Sequence, residues 1–188
     1  MPATWSCVSD SPDATRRVAG ILASAVEPVP RGGLFVALSG DLGAGKTVFA
    51  GGLFHGLGVP KATPIVSPTF TVARAYRGRV AIHHLDAYHL KGLHELEAAG
   101  FEEMGGEGIV TCVEWGERIP EALPADRLEI SLTPLVPTSI EGLEAKADAV
   151  PPDPKRRIEI RALGRASLAI LDRALPALER SGSDASVR

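Results

Sequence analysis

The run Gly40-Asp41-Leu42-Gly43-Ala44-Gly45-Lys46-Thr47 fits G-x-x-x-x-G-K-[ST], and residues of those types at that spacing do one kind of chemistry, phosphate binding. The glycines let the backbone curl until its N–H groups face inward, and a helix that begins where the loop ends adds the positive end of its dipole. Lys46 then bridges the β- and γ-phosphates, and the Thr47 hydroxyl takes a Mg²⁺ ion. The chain has five lysines against fifteen arginines, so a lysine here is a scarce residue in a telling place. The competing reading is a glycine-rich strand-to-helix turn that binds nothing. An apolar strand before the motif and a helix after it favour the phosphate site.

Two carboxylates stand at the ends of other apolar runs. Ile109–Val113 reads as a strand ending in Glu114, the position from which a Walker-B-like strand delivers a carboxylate to Mg²⁺ or its water shell; a solvated strand-end charge is the alternative. Val80–Leu85 ends likewise in Asp86, placed to orient or deprotonate an attacking water, or else to cap a turn. Ser67-Pro68-Thr69-Phe70 is a loop from which the Thr69 hydroxyl would sense a γ-phosphate, or a plain Pro turn. Trp115 either covers a nucleotide or anchors the core. His83, His84, His89 and His94 fall in no recognised metal-ligand spacing and are expected to be structural or surface residues.

These groups need strands and helices to hold them. Ser11-Pro12 is a helix start, with Ser11 as the N-cap and Pro12 in the first turn, and Val18, Ile21, Leu22 and Ala25 share one face of the helix that follows. Leu34–Leu38 is a buried strand feeding the glycine loop, and Thr47–Leu57 is the helix after it. Gly51, Gly52 and Gly56 each cost that helix about 1 kcal/mol relative to Ala, so packing or a ligand must hold it. Thr71–Tyr76 and Val80–Leu85 form a hairpin, Leu93–Ala99 a short helix, and Arg127–Leu132 and Arg157–Ala162 further strands. The closing helix carries Leu168, Leu171, Leu175 and Leu178, with Pro176 expected to interrupt or kink it. Thr133–Pro154 is long for a compact-domain loop. The expected organisation is therefore a single P-loop NTPase domain over 1–180, with a flexible insertion at 133–154 and a disordered tail at 181–188. Its class is α/β, with a mixed parallel and antiparallel sheet flanked by helices.

Composition narrows the function further. At 188 residues with a net charge of −3, the chain has no bulk positive field to grip nucleic acid and little length for a second catalytic domain. No apolar run approaches the roughly 20 residues a bilayer span needs. Cys7 and Cys112 sit in unrelated contexts, as free thiols of a reducing compartment do, which points to the cytoplasm.

Together LSGDLGAGKT (38–47), SPTF (67–70), HHLDAYHL (83–90), the EL-E-AG-FEE segment (95–103), VEWGER (113–118) and LPADRLEI (123–130) resemble one family. It is the bacterial TsaE (formerly YjeE) family of small P-loop ATPases in threonylcarbamoyladenosine biosynthesis, and the likeness runs from about Ser11 to Ala162. The resemblance implies an ATPase, weak alone, that binds ATP and Mg²⁺ and works with a heterodimer of TsaD and TsaB. It implies support for repeated modification of adenosine 37 in tRNAs reading ANN codons, without transfer of the group by this chain, which meets tRNA only through the complex; no membrane partner is expected, for want of a long apolar run. By motif it assigns phosphate contacts to Gly40–Thr47, Mg²⁺ to Thr47 and Glu114, and catalytic or water-orienting roles to Asp86 beside Lys46. Thr69 and Trp115 line the site, with a further nucleotide contact near Arg156. Gly51 and His89 stand where arginines are common in that family.

Two other classes compete. A small-molecule kinase with the same phosphate site needs an arginine-bearing lid, for which Arg74, Arg77 and Arg79 are the candidates. A nucleotide-dependent binding module would bind Mg-ATP without turnover.

Overall fold

The computed structural model describes residues 3–90, 92–135, 154–181 and 186–187. Strand β1 (Ala3–Ser9) leads into helix α1 (Pro12–Ser24), β2 (Leu34–Ser39) and α2 (Lys46–Gly56). A hairpin of β3 (Ala73–Arg77) and β4 (Ala81–Asp86) precedes the short α3 (Leu93–Ala98) and β5 (Ile109–Glu114). Then come β6 (Leu128–Pro134), β7 (Arg156–Ala162), α4 (Arg165–Ser181) and β8 (Ser186–Val187). All strands join one sheet in the order β3-β4-β5-β2-β6-β7-β1-β8.

The centre of the sheet, β4-β5-β2-β6, is parallel, and the pairs β3–β4, β6–β7, β7–β1 and β1–β8 are antiparallel. The class is the expected α/β mixture. Parallel strands covered on both faces read as continuous apolar runs, and Leu34–Leu38 is buried throughout. On one face Val36, Leu38, Val110 and Cys112 pack with Leu22, Phe49, Leu53, Leu171 and Leu178 from α1, α2 and α4. On the other, Phe35, Ala37, Leu85 and Val113 meet Leu96 of α3, Met104 and Ile119.

The start of α1 is as its sequence implies: the Ser11 side chain accepts from the Ala14 N–H at 3.1 Å, with Pro12 in the first turn. Packing answers the question for two of the three α2 glycines, Gly52 and Gly56, while a Cβ on Gly51 would meet only the Ile65 Cβ at an ordinary 3.8 Å. A Cβ on Gly52 would stand 2.5 Å from the Arg16 carbonyl, and one on Gly56 2.6 Å from the Ala23 Cβ. Bare backbone is what lets α2 lie directly against α1.

Strand β1 has no counterpart in the sequence reading. It pairs with β7 from Ala3↔Ala162 to Ser9↔Arg156, and Trp5 and Cys7 are buried. Burial pushes the Cys7 thiol up to about 11. It also holds Cys112 well above its ordinary value, with the Glu114 charge adding to the rise; both cysteines are free. Helix α4 is continuous through Pro176, so the expected interruption does not occur. Strand β6 continues through Thr133 and Pro134, and the Leu135 N–H donates to the Lys155 carbonyl at 2.7 Å. The rest of the expected insertion lies outside the described residues. Of the expected tail, Ser181 ends α4 and Ser186–Val187 pair with Trp5 and Ser6, the remainder again lying outside. Among the described residues no helix is long and apolar enough to cross a membrane.

Register decides what comes next. Leu38 of β2 pairs with Glu114, and Glu114 with Asp86, so the glycine loop and both carboxylates leave the sheet side by side. The carboxyl ends of adjacent parallel strands are where open α/β sheets bind ligands.

Candidate functional site

The loop from Gly40 to Gly45 joins the end of β2 to the first residue of α2, and Lys46 and Thr47 open that helix. Lys46 is buried, and its Nζ donates to the carbonyls of Gly40 at 2.6 Å and Asp41 at 3.0 Å. The ammonium lies 3.6 Å from the centroid of the Trp115 ring, a cation–π contact that gains when water is excluded. Burial lowers the Lys46 pKa, opposed by the charges of Glu114, Glu117, Asp86 and Asp41. One buried lysine thus stands among four carboxylates.

Thr47 faces Glu114: its Oγ1 donates toward both carboxylate oxygens, at 2.9 and 3.0 Å. Glu114 is 3% exposed and has a second partner in His84, whose Nε2 is 2.9 Å from Oε1. On the neighbouring strand end, Asp86 Oδ2 accepts from Ser67 Oγ and, at 2.7 Å, from Thr69 Oγ1, while Oδ1 accepts from the Tyr88 N–H at 2.8 Å. Three donors fix the orientation of that carboxylate.

Trp115 follows Glu114 with φ 60 and ψ 37. Left-handed backbone is costly for a bulky residue and clusters at functional sites. Here it accompanies a ring laid over Lys46, with Tyr88 at 4.8 Å. Both aromatics belong to a cleft of about 360 Å³ that also takes in Leu42, Gly43, Gly45–Val48, Ser67, Thr69, Asp86 and Glu114. That volume falls within the roughly 300–1,000 Å³ of small-molecule sites.

Arg156, at the start of β7, is buried behind the loop rather than in the cleft. Its Nη1 lies 3.4 Å from the Ala44 carbonyl and Nη2 3.3 Å from that of Pro154, while Nε has no partner. Gly45 has φ +102, and a Cβ there would run into Nη1. The guanidinium therefore occupies the space a side chain at Gly45 would need.

The fold gathers Lys46, Thr47, Thr69, Asp86, Glu114 and Trp115 at one cleft, and sets Arg156 against its wall. Of the lid arginines considered for a kinase, Arg79 is engaged elsewhere, by Glu27 at 2.8 Å and the Gly56 carbonyl at 3.0 Å. Ser67 and His84 were given no role of their own in the site by the sequence. Ser67 shares Asp86 with Thr69, and His84, expected to be structural or at the surface, is bonded to Glu114. The alternation of a strand held a clue to the second, since residues two apart share a face and His84 is two before Asp86.

Comparisons of the sequence and of the fold identify similar proteins. The family described as Threonylcarbamoyl adenosine biosynthesis protein TsaE matches residues 9–137. The chain is 39% identical over 126 residues to the tRNA threonylcarbamoyladenosine biosynthesis protein TsaE of Treponema pallidum (strain Nichols), covering 67% of this chain and 89% of that one. It is 38% identical over 128 residues to the protein of the same name from Bacillus subtilis (strain 168), covering 67% and 74%. The crystal structure of Bacillus subtilis YdiB superposes with a TM-score of 0.68 at 26% identity, over 94% of this chain and 97% of that one.

Proposed function

The chain belongs to the TsaE family of threonylcarbamoyl adenosine biosynthesis proteins, and on that premise we propose that it is a Mg²⁺-dependent ATPase supporting threonylcarbamoyl modification of adenosine 37 in tRNAs reading ANN codons. It acts beside a TsaD–TsaB heterodimer and leaves the group transfer to that pair. The observation that carries the reading is the convergence of Lys46, the Thr47–Glu114 pair and Asp86 at the carboxyl ends of adjacent strands.

The donor set suits the metal. Mg²⁺ is a hard cation that takes one or two protein oxygens and fills its octahedron with phosphate and water, and Thr47 Oγ1 beside the Glu114 carboxylate is such a pair. Among the described residues no group of three or more His, Cys, Asp and Glu forms a metal cluster. Held there by Thr47 and Glu114, the ion would supply positive charge against the negative charge that develops on the phosphates. The excess of carboxylates around Lys46 would repel a bare triphosphate, so nucleotide affinity should depend steeply on Mg²⁺.

The chain's own groups divide the rest. Lys46, drawn from the Gly40 and Asp41 carbonyls, meets the phosphates, together with loop N–H groups from Asp41 to Thr47. Asp86, held by Ser67, Thr69 and the Tyr88 N–H, orients the attacking water or takes its proton. Trp115 shields the lysine, and Arg156 supports the loop from behind. A net charge of −3 suits a component that reaches tRNA through its partners, in the cytoplasm.

The test is Lys46→Ala. The variant should fold, lose nucleotide binding, show no turnover with or without TsaD–TsaB, and fail to sustain tRNA modification. Full modification by this variant would overturn the reading.

A further inference from the structure

The buried group that the proposed reaction leaves without a task is His84. It has no exposed surface and lines no part of the cleft, so it reaches neither nucleotide nor water directly. Its ring stands edge-on to Phe54 at 5.1 Å and lies 6.3 Å from Tyr76. Its Nε2 is 2.9 Å from Glu114 Oε1, and Nδ1 has no hydrogen-bond partner. A carboxylate only accepts, so this bond places a proton on Nε2. All the ring's polar engagement is with one oxygen of Glu114. Had the position been required only to fill the core between Phe54 and Tyr76, a phenyl ring would do so without burying an unpartnered nitrogen.

Glu114 is correspondingly constrained. Oε1 is held from the β4 side by His84, and the Thr47 hydroxyl bonds both oxygens from the α2 side. We propose that His84 is a positioning residue for the metal-binding carboxylate. By pinning Oε1 it fixes the plane of Glu114 and keeps Oε2 and the Thr47 hydroxyl as the oxygen pair offered to the cation. The proposal rests on the Mg-nucleotide reading above and adds to it an outer layer that acts only through Glu114. Partners of this kind, one bond removed from a metal, typically cost about 10- to 100-fold in metal affinity when removed.

The experiment titrates Mg²⁺ into protein mixed with a fluorescent ATP analogue and reads the Mg²⁺ midpoint from analogue binding instead of turnover. His84→Phe, which keeps the ring and removes the donor, should raise the midpoint at least about tenfold while leaving analogue affinity in EDTA unchanged. His84→Gln, whose amide restores a donor at similar reach, should recover most of the shift. In a Glu114→Gln background, His84→Phe should add nothing, because the two act through one bond. Should His84→Phe fail to fold by circular dichroism, His84→Asn, whose shorter amide stops short of Glu114, takes its place. A wild-type midpoint in the folded donor-less variant overturns the proposal, as does a His84→Gln midpoint displaced as far as that of His84→Phe. Failure of the nucleotide reading looks different: the wild type itself would bind no analogue at any Mg²⁺ concentration.

Discussion

Replacing Thr47 by Val removes one hydroxyl and keeps the branched shape of the side chain. That hydroxyl lies 2.9 and 3.0 Å from the two oxygens of Glu114, a carboxylate that is 3% exposed, and of those oxygens His84 engages only Oε1. A hydrogen bond to a charged group contributes about 1.5–3 kcal/mol. Because the cleft admits water to one side of the pair, the lower part of that range, about 1.5–2 kcal/mol, is the expected loss without nucleotide. For a chain of this length 1 kcal/mol moves Tm by roughly 2–4 °C, so the variant should melt about 3–8 °C lower. Mg-nucleotide should widen the gap. At a hundredfold excess over Kd the wild type gains about 2.7 kcal/mol, and a tenfold weaker affinity in the variant forfeits about 1.3 kcal/mol of that, bringing the difference to about 3 kcal/mol. Urea denaturation in EDTA and in excess Mg-nucleotide measures both gaps, with Thr47→Ser, which keeps the hydroxyl, as the control close to wild type. Wild-type stability in EDTA would refute the energetic role given to the Thr47–Glu114 bond. An undiminished gain from Mg-nucleotide would refute the hydroxyl as a cation ligand.

Further outcomes separate binding from chemistry and the site from the scaffold. Asp86→Asn should retain Mg-nucleotide binding, since the Ser67 and Thr69 hydroxyls can turn to suit an amide, while turnover in the presence of TsaD–TsaB falls about 10²–10⁴-fold; turnover near the wild-type rate would remove Asp86 from the chemistry. Asp126 caps α4, accepting from the Ala166 N–H at 2.8 Å and the Ser167 N–H at 2.9 Å. Burial works to raise its pKa, but those donors prevail and hold it below the ordinary 3.8. Its stabilisation is therefore present above pH 3.8 and lost as pH falls through the lower folded value. Asp126→Ala should cost about 1 kcal/mol at neutral pH, and in chemical denaturation the difference from wild type should close in strong acid. A gap that stays constant with pH would show that the cap is not the source.

Much of this molecule is local in origin and was legible before folding. The glycine loop, the strand before it and the helix after it lie within about one turn of each other in sequence, so their chemistry follows from composition and spacing. The same holds for the cap at Ser11 and for the strand ends that carry Asp86 and Glu114. Strand β1 went unread: Ala3, Trp5 and Cys7 alternate with Thr4 and Ser6, but in so short a run the burial of Trp5 and Cys7 comes only from pairing with β7. The placing of Arg156 against Ala44, 112 residues away in sequence, likewise depends on β7 meeting β6 in register.

The sequence by itself carried the phosphate-loop motif, the residues proposed to use it and the likeness to one family, because a motif of this kind is written in consecutive residues whose backbone makes the loop. The tertiary structure alone decided what holds those residues. Glu114 is shared between Thr47 and His84, Asp86 is fixed by Ser67 and Thr69, and Gly45 is backed by Arg156, because partners of a buried charge are chosen by strand register and burial rather than by position in the chain.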